Sequence, residues 1–458
     1  MSSAAGATAG TSAAGGGRYH AEWAWVDGRP ARDVLIEVAA DGAGDGRFTA
    51  VTAGAAPPPG ATRLPGLTLP GLANAHSHAF HRALRGRTHA GKGTFWTWRN
   101  LMYAVAGRLT PPTYLDLATA AYAEMALAGV TTVGEFHYLH HDSGGRPYAD
   151  PNEMGAVLVE AARRAGIRIT LLDACYLTST VDGKPLDGAQ RRFGDGDAAR
   201  WVARVDGFAP AGRHARVGAA VHSVRAVPAD QIPDVVEWAG AGERPLHVHL
   251  SEQRKENRAC LAHYHRTPTE LLADAGALGP RTTAVHATHL TDGDRTELGD
   301  TGTGACFCPT TERDLADGVG PARALLDGGS PLSLGSDSHA VIDLFEEARA
   351  IEMHERLRSE QRGHFSAAEL VRAATAAGHA ACGWADAGSI AAGERADLVT
   401  VRLDSPRTAG IDPTATVFAA SAADVTHVLC DGRMIVSGGR HATIDVPTAL
   451  RTAIEAIT

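Results

Sequence analysis

The stretch Asn74 to Gly86, NAHSHAFHRALRG, puts His76, His78 and His81 within six residues, just after the apolar run LPGLTLPGL. Residues i and i+2 of a strand point to the same side, so His76 and His78 aim two imidazoles at one point, as a bidentate metal claw requires. His249, in RPLHVHLSE, adds a third nitrogen, and Asp337, in LSLGSDSH, adds a hard carboxylate oxygen. Three imidazoles and one carboxylate, with a position left for water, suit a catalytic Zn²⁺ or Fe²⁺ better than a closed structural site. His247, two residues before His249, and His289, just past the next strand, are alternative donors.

Elements that bring such residues together can be read from the pattern around them. From about Pro70 to Ala392, apolar strand candidates alternate with helical stretches such as PPTYLDLATAAYAEMALAG. The strand candidates are GLANAHSH, TTVGEFHY, IRITLLDACY, ARVGAAVHS, RPLHVHLSE, TTAVHATHL, GACFCPTT and PLSLGSDSH. Eight such units predict an α/β fold, a (β/α)8 barrel. Barrel active sites are built at the C-terminal ends of the strands, and five of these strands end in His, Glu or Asp, which predicts one convergent pocket. Short strands separated by Gly turns precede and follow the barrel, those before it predicting an antiparallel β segment. The division predicted is a small β-sandwich from residues 18–68 and 393–458 around a barrel of residues 69–392, with residues 1–17 a flexible tail.

Composition narrows the function classes. With a formal charge of −9, the chain has no excess of cations for nucleic acid. Its N-terminal residues lack the basic and apolar regions of a signal peptide, and no apolar run approaches the roughly 18 residues of a membrane span. Six scattered cysteines form neither a disulfide framework nor a Cys-x-x-Cys knuckle. These features predict a cytoplasmic enzyme that binds neither nucleic acid nor membrane.

The constellation of His-x-His on the first strand, His249 on the fifth, a histidine on the sixth and Ser-Asp-Ser on the eighth resembles the amidohydrolase superfamily, whose small flanking sandwich also matches. Some members bridge two metals with a carboxylated lysine on the fourth strand. Here ARVGAAVHSVRAV has no lysine, and Lys92, Lys184 and Lys255 all fall outside the predicted strands. The resemblance therefore implies one metal, held by His76, His78, His249 and Asp337. The His-x-x-Glu spacing of His249 and Glu252 is typical of the single-metal deaminases, and implies that Glu252 carries a proton from the attacking water to the departing nitrogen. In the same positions His286 polarises the water and the new oxyanion, and Asp337 both ligates and accepts a proton.

The segments FWTWRNLMY, EFHYLHHDSGGRPYADP, VHSVRAV and VHLSEQRKENRACL resemble the formimidoylglutamate deiminases. That resemblance implies a small dicarboxylate substrate bearing an amidine-like carbon, and relatives that are commonly homodimers. Arg99 and Arg225 match the carboxylate-binding arginines, a role that suits a planar bidentate fork. Tyr138 and His222 match further hydrogen-bonding partners. His81 stands where that family carries glutamine, and is expected in the loop at the pocket mouth, against a substrate carboxylate. The alternatives in other classes are a purine, pterin or triazine deaminase, which would share the metal residues, and a non-catalytic barrel scaffold.

Overall fold

The computed structural model describes residues 17–39, 46–88 and 95–458. The tail expected over 1–17 lies, apart from Gly17, outside the described residues. Four strands come first: β1 (Arg18–Val26), β2 (Arg29–Val38), β3 (Phe48–Thr52) and β4 (Thr62–Pro70). Asp27 and Gly28 take φ of 50° and 76°, the paired left-handed turn that closes a two-residue hairpin with Val26 opposite Arg29.

The barrel follows with β5 (Leu72–Ser77), β6 (Val130–His137), β7 (Arg168–Cys175), β8 (Ala215–Val221), β9 (Leu246–Leu250), β10 (Thr282–His286), β11 (Gly304–Phe307) and β12 (Leu332–Leu334). Seven fall within the strand segments read from the sequence, and β6 starts one residue ahead of TTVGEFHY. They pair in sequential order, all parallel, and every residue of β5, β6 and β7 is buried, as strands covered on both faces require. Backbone bonds close the ring between the first and eighth units: Asp337 N–H donates to His76 O at 3.0 Å, and His78 N–H to Asp337 O at 3.2 Å. Asn74 reinforces this seam, donating from Nδ2 to Ser336 Oγ at 2.7 Å and accepting Ser336 N–H at 2.9 Å. The barrel thus closes at the residues singled out for chemistry.

After the barrel, β13 (Leu398–Val401), β14 (Val425–Cys430), β15 (Arg433–Ser437) and β16 (Arg440–His441) join β1–β4 in one eight-stranded mixed sheet. The strand β4 unites the two halves, antiparallel to β13 and parallel to β1. That parallel pair departs from the wholly antiparallel N-terminal segment that the Gly turns suggest. The chain crosses back between β3 and β4 because β4 must also lead into the barrel. Arg168, at the start of β7, ties sheet to barrel: its Nη1 donates to Asp397 Oδ1 at 2.9 Å and Asp431 Oδ1 at 2.7 Å, with all three residues buried. Among the described residues no helix is long and apolar enough to cross a membrane, and all six cysteines are buried and free.

Candidate metal centre and active site

His76 lies in β5, and His78 follows it by one residue, so the claw straddles the strand end instead of lying wholly within it. His249 is in β9, and Asp337 lies three residues beyond β12. Four side chains from three chain segments thus converge. His249 Nε2 is 3.2 Å from His76 Nε2, and Asp337 Oδ1 is 3.5 Å from His76 Nε2 and 3.3 Å from His78 Nε2. Donors held about 2.0–2.1 Å from a tetrahedral ion stand roughly 3.3–3.4 Å apart, and these spacings bracket that value.

Proton inventory supports the same reading. His78 donates from Nδ1 to Phe136 O at 2.9 Å, and His249 from Nδ1 to His222 O at 2.9 Å. Burial holds both rings well below the usual histidine pKa, so they are neutral and Nε2 of each carries a lone pair. The lone pair of His78 therefore faces a carboxylate oxygen, an acceptor-to-acceptor contact that a cation between them would relieve. Backbone carbonyls that fix the tautomer of a ligating histidine are the usual outer shell of a metal site. The residues present fit one divalent ion.

The other expected donors are engaged elsewhere. His247 is buried with Nε2 at 2.9 Å from Ala381 O, and neither it nor the half-buried His289 belongs to a metal-competent cluster among the described residues. A separate group, His137, His140 and Asp173, is close enough to hold an ion. There, however, Arg204 donates to both oxygens of Asp173 at 2.8 and 2.9 Å, and a guanidinium in that position repels a cation.

Around the centre, one cavity is lined by His78, His249, His286, Asp337 and Glu252. His81, Arg99, Tyr138, His222 and Arg225 line the same cavity, so of the ligands, catalytic and substrate-binding residues expected there only fully buried His76 is absent from its wall. His286 is the last residue of β10, with Nε2 at 3.9 Å from Glu252 Oε1 and 3.8 Å from Asp337 Oδ2. Burial opposes a charge on this ring, yet Glu252, Glu312 and Asp337 together raise its pKa well above the usual histidine value. Burial likewise pushes the Glu252 carboxyl up to about 7, with His286 pulling the other way. His286 and Asp337 adopt φ of 68° and 40°, a left-handed backbone that costs non-glycine residues of order 1–3 kcal/mol each. Such strain at two strand ends that face one cavity marks a functional site.

His81 is not in a loop at the mouth. It sits in the 3-10 helix Ala79–Leu84, 2% exposed, because the chain coils immediately after His78. Its Nε2 is 3.0 Å from Tyr138 Oη, so the two form one hydrogen-bonded pair on the wall. Arg225 donates from Nε to Glu256 Oε2 at 3.2 Å and from Nη1 to Tyr176 Oη at 3.0 Å, while Gln190 donates to the same hydroxyl at 3.0 Å. The Arg99 guanidinium lies 5.5 Å from the centre of the Tyr103 ring. The side chains of Phe95 and Trp96, in the aromatic segment before it, lie outside the described residues.

Several partners escape sequence reasoning. Glu256, Tyr176 and Gln190 shape the Arg225 fork from three different segments, and Glu312 lies 3.4 Å from His286 Nδ1. Glu135, buried in β6, accepts Ser77 Oγ–H at 2.7 Å and Ala79 N–H at 2.6 Å, bracing the claw from behind. Glu256 and Glu135 fall in SEQRKEN and VGEFHY, segments whose chemistry is otherwise carried by their neighbours. Glu312 gives no signal, since it becomes a neighbour of His286 only through the turn after β11.

The model of the amidohydrolase family matches residues 67–435. The chain belongs to the amidohydrolase family. Among its relatives, the formimidoylglutamate deiminase of Pseudomonas aeruginosa is 38% identical over 428 residues, which cover 90% of this chain and 93% of that one. An amidohydrolase from Brucella melitensis has a crystal structure that superposes with a TM-score of 0.87 at 31% identity, over 96% of this chain and 99% of the other. An adenosine deaminase from Xanthomonas campestris, solved with bound zinc, shares the fold with a TM-score of 0.80 at 23% identity, over 96% of this chain and 97% of that one. As in other amidohydrolases, hydrolytic chemistry at the C-terminal mouth of the barrel is the frame for the site described above.

Proposed function

We propose that this amidohydrolase deiminates N-formimino-L-glutamate, using one zinc ion, to give N-formyl-L-glutamate and ammonia. The observation that carries this reading is the presence of two arginines, Arg99 and Arg225, in the cavity that holds the ligand cluster. A purine pocket wants stacking and amide-reading groups there, whereas two guanidiniums fit two carboxylates. The extensive identity to a formimidoylglutamate deiminase supports the same choice.

His76, His78, His249 and Asp337 would hold the ion, which lowers the pKa of water and acts as a Lewis acid when bound. Arg225, held by Glu256 and Tyr176, and Arg99 bind the substrate carboxylates, while His81, Tyr138 and His222 supply hydrogen bonds to the rest of the glutamyl group. Asp337 accepts the proton of the attacking water. Glu252, with a carboxyl near neutral pKa, delivers a proton to the departing nitrogen, since a shuttle works best when its pKa lies near the working pH. His286 presents Nε2 to the oxygen on which charge develops.

Steady-state ammonia release tests this. N-formimino-L-glutamate is compared with N-formimino-L-aspartate, guanine and adenosine, using zinc-loaded protein. Preferential turnover of the formimino-glutamate is expected. Turnover of a purine instead would replace the reading with a purine deaminase.

A further inference from the structure

His286 offers two nitrogens, and the mechanism above uses only one. Nε2 faces Asp337 and Glu252, while Nδ1 faces away from the cavity, 3.4 Å from Glu312 Oε1. That carboxylate is 2% exposed and is itself fixed, because Oε1 also accepts the Cys308 N–H at 2.9 Å. The cause is local. Pro309 opens the short helix Pro309–Asp314 directly after β11, and the first turn carries the Glu312 side chain back over Cys308, whose N–H has no helical partner of its own. A backbone donor thus anchors the carboxylate where it meets His286.

We propose that Glu312 is the positioning residue for His286, accepting its Nδ1–H and so fixing the ring orientation in which Nε2 alone addresses the reacting atoms. An ionised carboxylate only accepts, so Nδ1 must be the donor in this contact. No other protein group among the described residues bonds Nδ1. The arrangement is a carboxylate–histidine dyad, in which the carboxylate fixes the orientation of the ring without touching substrate. Glu312 acts through His286 and is not itself a catalytic residue.

The inference rests on the deiminase reading for its kinetic arm, and has a second arm that needs no turnover. In zinc-loaded E312Q, kcat for N-formimino-L-glutamate is expected to fall about a hundredfold or more, with KM within about threefold and one zinc retained. In the H286N background the same substitution should have no further effect, because its route is gone. Independent effects that multiply in H286N/E312Q, or an unchanged kcat in E312Q, would overturn the proposal. Proton NMR of the zinc-loaded wild type should show a far-downfield, slowly exchanging Nδ1 proton that disappears in H286N and in E312Q but persists in E252Q. Absence of that resonance in the wild type, or its survival in E312Q, also overturns the dyad. Should E312Q fail to fold, the wild-type and H286N spectra still decide. If wild-type protein releases no ammonia from any formimino acid while the resonance is present, the substrate reading fails and the dyad stands.

Discussion

His78 Nε2 stands 3.3 Å from Asp337 Oδ1, and His78 has already spent its proton on Phe136 O, so two acceptors face each other in a buried site. A cation should therefore stabilise the fold as well as serve chemistry. At 100 times the dissociation constant, a ligand of the native state contributes about 2.7 kcal/mol. For a chain of 458 residues, with an unfolding entropy of about 1 kcal/mol/K, this raises Tm by roughly 3 °C. Calorimetry of chelator-treated protein with and without zinc checks it, with H78A as the control that should lose both the shift and the bound equivalent. An unshifted wild type would count against the ligand set.

The proton shuttle is tested by Glu252→Gln. The glutamine keeps the volume of a side chain that lines the cavity but cannot cycle a proton. Loss of a positioned acid–base group costs roughly 10²–10⁴ in rate, so kcat should drop by that factor while zinc content stays at one. Most of the turnover surviving, with metal bound, would assign the shuttle to another group.

How far the sequence carried the argument differs between levels. The barrel strands were legible because apolar runs recur between helical stretches, five of them ending in His, Glu or Asp, and the claw was legible because its period matches a strand. The choice between His247 and His249 was not. Both share a strand parity, and only depth along the barrel separates them: one bonds Ala381 O, the other approaches His76. His81 was misplaced for a related reason, since nothing in AFHRAL announces that the chain coils at once after His78. Glu312 and Tyr176 were silent because they reach the site through turns, and loop geometry is not written in periodicity.

Arg225 gives a prediction about substrate affinity. Its Nε and Nη1 are committed to Glu256 and Tyr176, so the fork is oriented before substrate arrives. Charge-assisted hydrogen bonds of this kind contribute about 1.5–3 kcal/mol, and Arg225→Met should lower kcat/KM roughly 10- to 150-fold, chiefly through KM. A fall confined to kcat, with KM unchanged, would place Arg225 in the chemistry instead.

Gly335 tests how tightly the claw is packed. A Cβ at this position would lie 2.8 Å from both His76 Cβ and His76 O, and 2.9 Å from Cys308 Sγ. No rotamer relieves a clash with backbone, so Gly335→Ala must push β12 and β5 apart beside the ligands. Overpacking of this kind costs about 1–3 kcal/mol. Zinc affinity should weaken together with Tm, read by titration against a chromogenic chelator. Unaltered affinity in a destabilised variant would show that the seam yields away from His76.

Acid stability follows from a network remote from the metal. Burial alone would raise the Asp173 pKa, but Arg204 overrides it and lowers the value to about 2. Arg204 reaches both oxygens, and Trp201 Nε1 donates to Oδ1 at 2.8 Å. A carboxylate whose folded pKa is depressed stabilises the fold above its unfolded pKa of about 3.9, and that contribution is lost as pH falls from there toward 2. The difference is worth roughly 2–3 kcal/mol. Asp173→Asn removes this titration, so the variant should be less stable than wild type at pH 6, and the gap should narrow as pH falls below 4. Thermal unfolding followed from pH 6 to 2 measures the gap directly. Parallel curves across that window would mean that Arg204 does not depress the Asp173 pKa in the folded chain.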